Sequence, residues 1–198
     1  TYVKGTQVNG GVSVLWGEIK PDLDETNQTG GNGSNALNPV LAPMGYISHQ
    51  LDDQWTIGFG SYGDFGDELD YDNDWAGRYF MQNAKLVGVS LVPSVAFRAN
   101  DQWSFGLGLR AMYGMVDLQL AQANGQPPLC TPGSCPGPDG EVKYDDEEWG
   151  YGANAGVIYS PQEGTRIGLA YSSKVDLDFN GDLKVDGIGG GKLIPQQD

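Results

Sequence analysis

The sequence is short of several things, and each shortage removes a class of function. Of its 198 residues only 11 are lysine or arginine, against 26 aspartate or glutamate, a net charge of -15. Phosphate recognition needs a basic face, so the balance argues against nucleic acid as a partner. No apolar run approaches the roughly 18 residues that a membrane helix requires. That leaves strands as a way across a bilayer, because barrel strands alternate in polarity and disappear from a hydropathy average. The single histidine, His49, would have to serve any serine–histidine–acid site, yet no serine motif surrounds it. The run GIGGGK (Gly187–Lys192) lacks both the spacing and the following Ser or Thr of a phosphate-binding loop. No enzymatic activity, cofactor or metal centre is expected. Cysteine is limited to Cys130 and Cys135, in PPLCTPGSCPGPDG. Their spacing is not a zinc pattern by itself. A small loop disulfide suits an oxidising compartment, and two free thiols are the alternative. Thr1 opens almost directly on a strand pattern, so a leader is expected to have been removed, or the chain to be an internal piece.

What the chain does have is glycine, 31 residues of it, and alternation. In Asp101–Leu120 one set reads Trp103, Phe105, Leu107, Leu109, Ala111, Tyr113, Met115. The other reads Ser104, Gly106, Gly108, Arg110, Met112, Gly114. One face is bulky; the other is nearly bare, with one cation in its middle. A period of two means a strand. At about 3.3 Å per residue it would run roughly 60 Å, far beyond an ordinary strand of about 17–20 Å.

The pattern recurs in Gln7–Ile19, Ala42–Gln50, Trp55–Gly63, Lys85–Arg98, Trp149–Tyr159 and Thr165–Phe179. In the last of these, Val175, Leu177 and Phe179 fall on the bulky side, with Lys174, Asp176 and Asp178 opposite. No segment reads as a helix. Short polar turns are expected at Leu51–Gln54, Ala99–Gln102 and Ser160–Gly164. Long loops rich in Gly, Pro, Asn and Asp are expected at Pro21–Asn38, Asp64–Ala84 and Ala121–Glu148, and as a tail after Asn180. Short turns at one end and long loops at the other describe an all-β, antiparallel up-and-down transmembrane barrel, here in part. Trp55, Trp103 and Tyr159 near the short turns, and Tyr113, Trp149 and Tyr171 toward the loops, suit the two membrane interfaces. The competing reading is a soluble or surface β-protein that binds cations or a partner through its acidic loops. A water-facing strand side usually carries Lys, Glu and Thr rather than Gly, Ser and Ala, which favours the membrane barrel.

The stretches DQWSFGLGLRAMYG, WGYGANAGVIYSPQEGTRIGLAYSSKVDLDFNGDL and LDDQWTIGFGSYG resemble the FadL family of outer-membrane transporters for long-chain fatty acids and other hydrophobic compounds. The resemblance runs from about Gly5 to Leu183. It implies a barrel of about fourteen strands in the bacterial outer membrane, plugged by an N-terminal hatch. Residues 1–198 would be an N-terminal part of that barrel, with the hatch and the last strands missing. It further implies passive uptake: capture of a hydrophobic small molecule at the outer loops, binding inside, and lateral release where the third strand kinks. The corresponding stretch is Gly60, Ser61, Tyr62 and Gly63, and glycine suits a kink because it lacks the Cβ constraint. Gly60, Ser94, Arg110, Met112 and Gly114 would line the pocket or path, and Ala121–Glu148, with Pro127, Pro128 and Leu129, would help form the capture site. The expected partners are the ligand, outer-membrane lipid and lipopolysaccharide, around a monomeric barrel. One departure stands out. Leu120 falls where a basic residue of the family helps to hold a carboxylate. Arg110 either takes over that role or pairs with an interior acid such as Asp176 or Asp178; a neutral hydrocarbon or aromatic is then equally open as ligand.

Two acidic runs invite a calcium reading. In DELDYDNDWAG (Asp67–Gly77), counting from Asp70 puts Trp75 where an EF-hand needs glycine. In DLDFNGDLKVDG (Asp176–Gly187) the twelfth position is Gly187, where a bidentate glutamate belongs. Both read as solvated or lipopolysaccharide-facing loops.

Overall fold

The computed structural model describes residues 4–22, 30–123 and 139–187. They form one antiparallel sheet. Its strands are β1 (Thr6–Leu15), β2 (Val40–Gln50), β3 (Trp55–Asp70), β4 (Asn83–Arg98), β5 (Trp103–Gln122), β6 (Gly140–Gln162), β7 (Thr165–Ser172) and the short β8 (Leu183–Asp186). β1 to β7 pair in chain order, and β8 pairs back on β6. This is an up-and-down partial barrel wall with no helix among the described residues.

Alternation decides which side each residue takes. Val8, Phe105, Leu107, Leu109, Tyr151, Leu169 and Tyr171 all lie exposed on the outer side, Leu109 and Leu169 at 69% and 74%. A soluble protein would not leave such a face bare; lipid covers it in a barrel. Within the apolar band the buried residues on β4 and β5 are instead on the inner side, among them Ser90 and Ser104, and Met112 at 6%. Trp55 packs on Phe97 at 4.7 Å and Trp103 on Tyr159 at 4.5 Å near the short turns, while Tyr113 meets Trp149 at 5.3 Å further up. Trp103 and Tyr113 lie on one strand, about 33 Å apart along it. A tilt of about 45° reduces that to roughly 23 Å of depth, close to the ~25 Å apolar band of a membrane barrel.

The upper strands are longer than the sequence pattern suggests. β3 continues to Asp70, β4 starts at Asn83, and β6 starts at Gly140 rather than at Trp149. The stretch Glu141–Glu148 carries strand pairing without alternation, because above the bilayer neither face has to be apolar. At 23 residues, β6 is roughly 75 Å long at about 3.3 Å per residue.

The expected strand Thr165–Phe179 is corrected. β7 stops at Ser172, and residues 173–182 cross the inner face of β5 and β6 before β8 rejoins the edge. Val175, Leu177 and Phe179 therefore face the interior and not lipid. Their room is made by glycine. A Cβ at Gly114 would lie 2.6 Å from Leu177 Cδ1, one at Gly152 would lie 2.9 Å from Val175 Cγ2, and one at Gly150 would collide with Val175. The bare stripe on β5 and β6 is thus roofed in part by the chain itself.

Above the wall, the segment 71–82 folds back on itself. Trp75 is 8% exposed, stacks on Tyr71 at 4.1 Å and donates its indole N–H to the carbonyl of Met81 at 2.8 Å. Gly77 lies directly beneath the Trp75 ring, where any Cβ would clash. Ala36 and Ala76 complete this small apolar centre.

Candidate functional site

β3 carries a bulge, with the register shifting between Gly63 and Phe65. The extra residue is Asp64. A bulge re-aims side chains and bends its strand: Asp64 keeps the inward side that alternation from Gly60 and Tyr62 gives it, and the bulge brings Phe65 to the inner side next to it, over Gly88. There Asp64 pairs with Arg110 of β5, and Ser90 of β4 joins both, accepting from Arg110 Nε at 2.8 Å and donating to Asp64. Side-chain exposure is 15% for Arg110 and 11% for Asp64, and Ser90 is fully buried. A desolvated guanidinium demands an anion, and Asp64 supplies it. Of the two alternatives for Arg110, the structure shows the internal acid, but the acid is Asp64, with neither Asp176 nor Asp178 as its ion-pair partner.

The other expected site residues divide. Met112 pairs across from Ser90 and so adjoins this cluster. Gly114 is covered by Leu177 and Phe179. Gly60 and Ser94 lie apart from the cluster and line a separate inner recess of about 480 Å³ with Tyr46, Ser48 and Asn154. In the stretch named for a kink, Gly60, Ser61 and Tyr62 sit in unbroken ladders with both neighbours, and the irregularity begins only at Gly63. Cys130, Cys135 and the loop tip with Pro127, Pro128 and Leu129 lie outside the described residues. Two residues of this cluster escape sequence reasoning, Asp64 and Ser90. Their signal is a lone acid directly after a glycine-rich strand, opposite a lone inward cation.

The bulge coincides with a break in the wall. The β2–β3 ladder ends at Met44–Tyr62, and pairing returns only at the Leu37–Leu69 bridge. Pro43 has no N–H to offer here. Between these points the strands meet through side chains: the Cβ position of Gly63 is 3.5 Å from Ala42 Cβ, and that of Gly66 is 3.0 Å from Val40 Cγ1. The seam encloses an apolar pocket of about 460 Å³ lined by Val14, Leu41, Pro43, Met44, Phe65 and Val87. Phe65 is held across Gly88, whose Cβ would come within 2.5 Å of its ring.

At the loop end, Arg78 Nε donates to Asp139 at 2.8 Å and Tyr79 donates its hydroxyl to the same carboxylate at 2.9 Å. Burial and then the bond to Asp139 push the Tyr79 phenol above its ordinary value. Burial works against the Arg78 charge, but Asp139 and Tyr79 outweigh it and the guanidinium is held above its usual range. Two acids of Asp67–Gly77 are engaged locally, Glu68 with Lys85 at 3.3 Å and Asp72 with the Ser34 hydroxyl at 2.5 Å. Among the described residues no three His, Cys, Asp or Glu side chains converge as metal ligands. His49 Nδ1 lies 2.7 Å from Thr6 Oγ1, across the β1–β2 pair.

This wall has counterparts among known proteins. Residues 1–194 match the family model described as outer membrane protein transport protein (OMPP1/FadL/TodX). The chain belongs to the FadL family. It is 30% identical over 184 residues to a long-chain fatty acid transport protein of Escherichia coli O6:H1, covering 84% of this chain and 41% of that protein. It is 32% identical over 171 residues to outer membrane protein P1 of Haemophilus influenzae, covering 76% and 37%. The crystal structure of a Pseudomonas aeruginosa FadL homologue superposes with a TM-score of 0.68 at 19% identity, over 91% of this chain and 45% of that one. The Ralstonia pickettii toluene transporter TbuX does so at 0.66 and 20%, over 94% and 53%. The chain thus spans less than half the length of these sequence relatives. It is part of a FadL-family outer-membrane β-barrel, as the sequence resemblance implies.

Proposed function

We propose that this FadL-family chain forms part of a passive uptake route for hydrophobic small molecules across the outer membrane, with release through the β2–β3 seam. The observation that carries this reading is the seam itself. An apolar pocket of about 460 Å³ sits where two wall strands stop pairing, beside a bulge. A barrel strand that gives up ladder bonds loses about 0.5–1.5 kcal/mol for each, so the break has to be offset elsewhere in the structure. Differential affinity along the path does the work, and no covalent step is needed. The names of the relatives mention fatty acids and toluene. Arg110 is already satisfied by Asp64, which favours a neutral hydrocarbon or aromatic over a carboxylate at this point on the wall.

The test is to close the seam reversibly. Ala42 Cβ and the Cβ position of Gly63 are 3.5 Å apart, within the roughly 3.5–4.5 Å range of a disulfide. The full-length protein with Ala42→Cys and Gly63→Cys, and with Cys130 and Cys135 replaced by serine, is produced in Gram-negative cells lacking a transporter of their own. Uptake of labelled toluene and oleate is measured before and after reduction. The expected result is slow uptake when oxidised and recovery on reduction. Equal uptake in both states would refute release at this seam.

A further inference from the structure

We infer that the wall has a second lateral opening, between β6 and the seventh strand, gated from inside by the strap of residues 173–182. The inference rests on the transport reading above and extends it to a second exit.

The ladder shows the break. β7 pairs with β6 down from Asn154–Ser172, and β8 resumes at Tyr144–Leu183. Between these pairs the chain has ten residues, 173–182, for a stretch that β6 spans in nine, 145–153. A loop would need more chain or a turn. This length fits a wall strand that could run straight on with one bulged residue. It leaves the sheet instead, and does so in an ordered way. At the departure point Ser173 N–H donates to the Ala153 carbonyl at 2.9 Å and Ser173 Oγ accepts from Ala153 N–H at 2.9 Å. At the return point Asn180 N–H donates to Asp146 Oδ2 at 2.5 Å and Gly181 N–H to the Tyr144 hydroxyl at 3.2 Å.

Part of the vacated edge has its own partners. The backbone N–H of Ala153 points to this edge, so by the alternation of an antiparallel strand those of Trp149 and Glu147 do too. They donate to side chains, Trp149 to Glu148 Oε1 at 3.1 Å and Glu147 to Asp146 Oδ1 at 2.8 Å. These two carboxylates stand in for the missing strand at those two positions.

The strap shows what the opening would pass. Val175, Leu177 and Phe179 press on the glycine floor at Gly114, Gly150 and Gly152. They occupy, with the protein's own apolar groups, a surface that a hydrophobic molecule inside the barrel would otherwise cover. A ligand there competes with the strap, and the displaced strap has an edge of matching length to return to. Asp145, Asp146, Glu147 and Glu148 rim the gap, so it favours neutral hydrophobic molecules over carboxylates. The two breaks also share a rung: Gly63 pairs with Val89, Val89 with Tyr113, and Tyr113 with Trp149.

Two cysteine pairs in the full-length, cysteine-free background test this. Gly152→Cys with Val175→Cys reports the strap inside, since the nearest atoms to a Cβ at Gly152 are the Ser173 hydroxyl and the Val175 side chain that the second cysteine removes. Trp149→Cys with Leu177→Cys reports a strand lying flat, because it continues the β6–β7 register. The inside pair is expected to oxidise in the outer membrane and the flat pair not. With the strap locked inside, toluene uptake is expected to fall about twofold, as when one of two parallel gates is shut, and to recover on reduction. Adding the Ala42–Gly63 lock should then abolish it. Ready oxidation of the flat pair, or unchanged toluene uptake with the strap locked, overturns the second opening. Loss of all uptake in the unlocked parent would instead refute the transport reading.

Discussion

Removing Asp64 is the sharpest perturbation of the inner wall. Asp64→Ala leaves Arg110 with only the Ser90 hydroxyl in a site where the guanidinium side chain is 15% exposed. Breaking a buried pair by deleting one partner costs about 3–5 kcal/mol, mostly from stranding the other charge. Water in the lumen lowers that, so a loss of about 2–4 kcal/mol is expected. Asp64→Ala with Arg110→Met removes both charges and should return to within about 1 kcal/mol of the parent. The assay is urea unfolding of the full-length protein in lipid vesicles, followed by tryptophan fluorescence. The same single variant should bind oleate about tenfold more tightly and toluene unchanged, since a freed Arg110 gains a carboxylate bond of about 1.5–3 kcal/mol. A single variant as stable as the parent, or a double variant as unstable as the single, would refute the claim that Asp64 neutralises Arg110. Unaltered oleate binding would refute the claim that the pair disfavours carboxylate ligands.

Two other perturbations act elsewhere. Gly88→Ala should push the Phe65 ring, 2.5 Å from the new Cβ, into the seam pocket; a loss of about 1–3 kcal/mol and slower toluene uptake are expected, and unfolding and uptake assays check both. Tyr79 should ionise above 10.0, and because its folded value is raised, its contribution to holding the loop is intact below the ordinary value and lost as pH rises through the folded one. Absorbance titration at 295 nm, with Tyr79→Phe as control, should show one late-titrating tyrosine that the control lacks.

The wall was legible because alternation is a local signal. Trp103 to Met115 reveals its outer face with no knowledge of any neighbour, and the short turns at Leu51–Gln54 and Ala99–Gln102 fix strand order. The upper wall was not legible in the same way. Where lipid no longer enforces polarity, Glu141–Glu148 can be strand without looking like one. The strap misled for the opposite reason: Val175, Leu177 and Phe179 keep the alternation of a wall strand, but what holds them inside is glycine on β5 and β6, a partner far along the chain. The Arg110 partner was hidden because the alternating pattern of β3 ends at Gly63: Asp64 continues the inward side of Gly60 and Tyr62 but reads as the first residue of an acidic loop, and the bulge changes sides only from Phe65 onward.

The shared rung of the two breaks has a mechanical consequence. β3 to β6 are laced to one another, apart from a step at Val92–Pro93 in the β4–β5 ladder, yet over overlapping rungs they are unlaced from β2 on one side and from the seventh strand on the other. They are tied to their neighbours again above, through the Leu37–Leu69 bridge and the β6–β8 pairs, and below through full ladders. Four strands held at both ends and free along both sides behave as a single plate. Such a plate bows as one body, with the Asp64–Arg110 bond as a stiffener near its centre. An outward bow would widen both side gaps at once and an inward bow would narrow both, so that, in the proposed uptake route, a molecule wedged in one gap would change the width of the other without touching it.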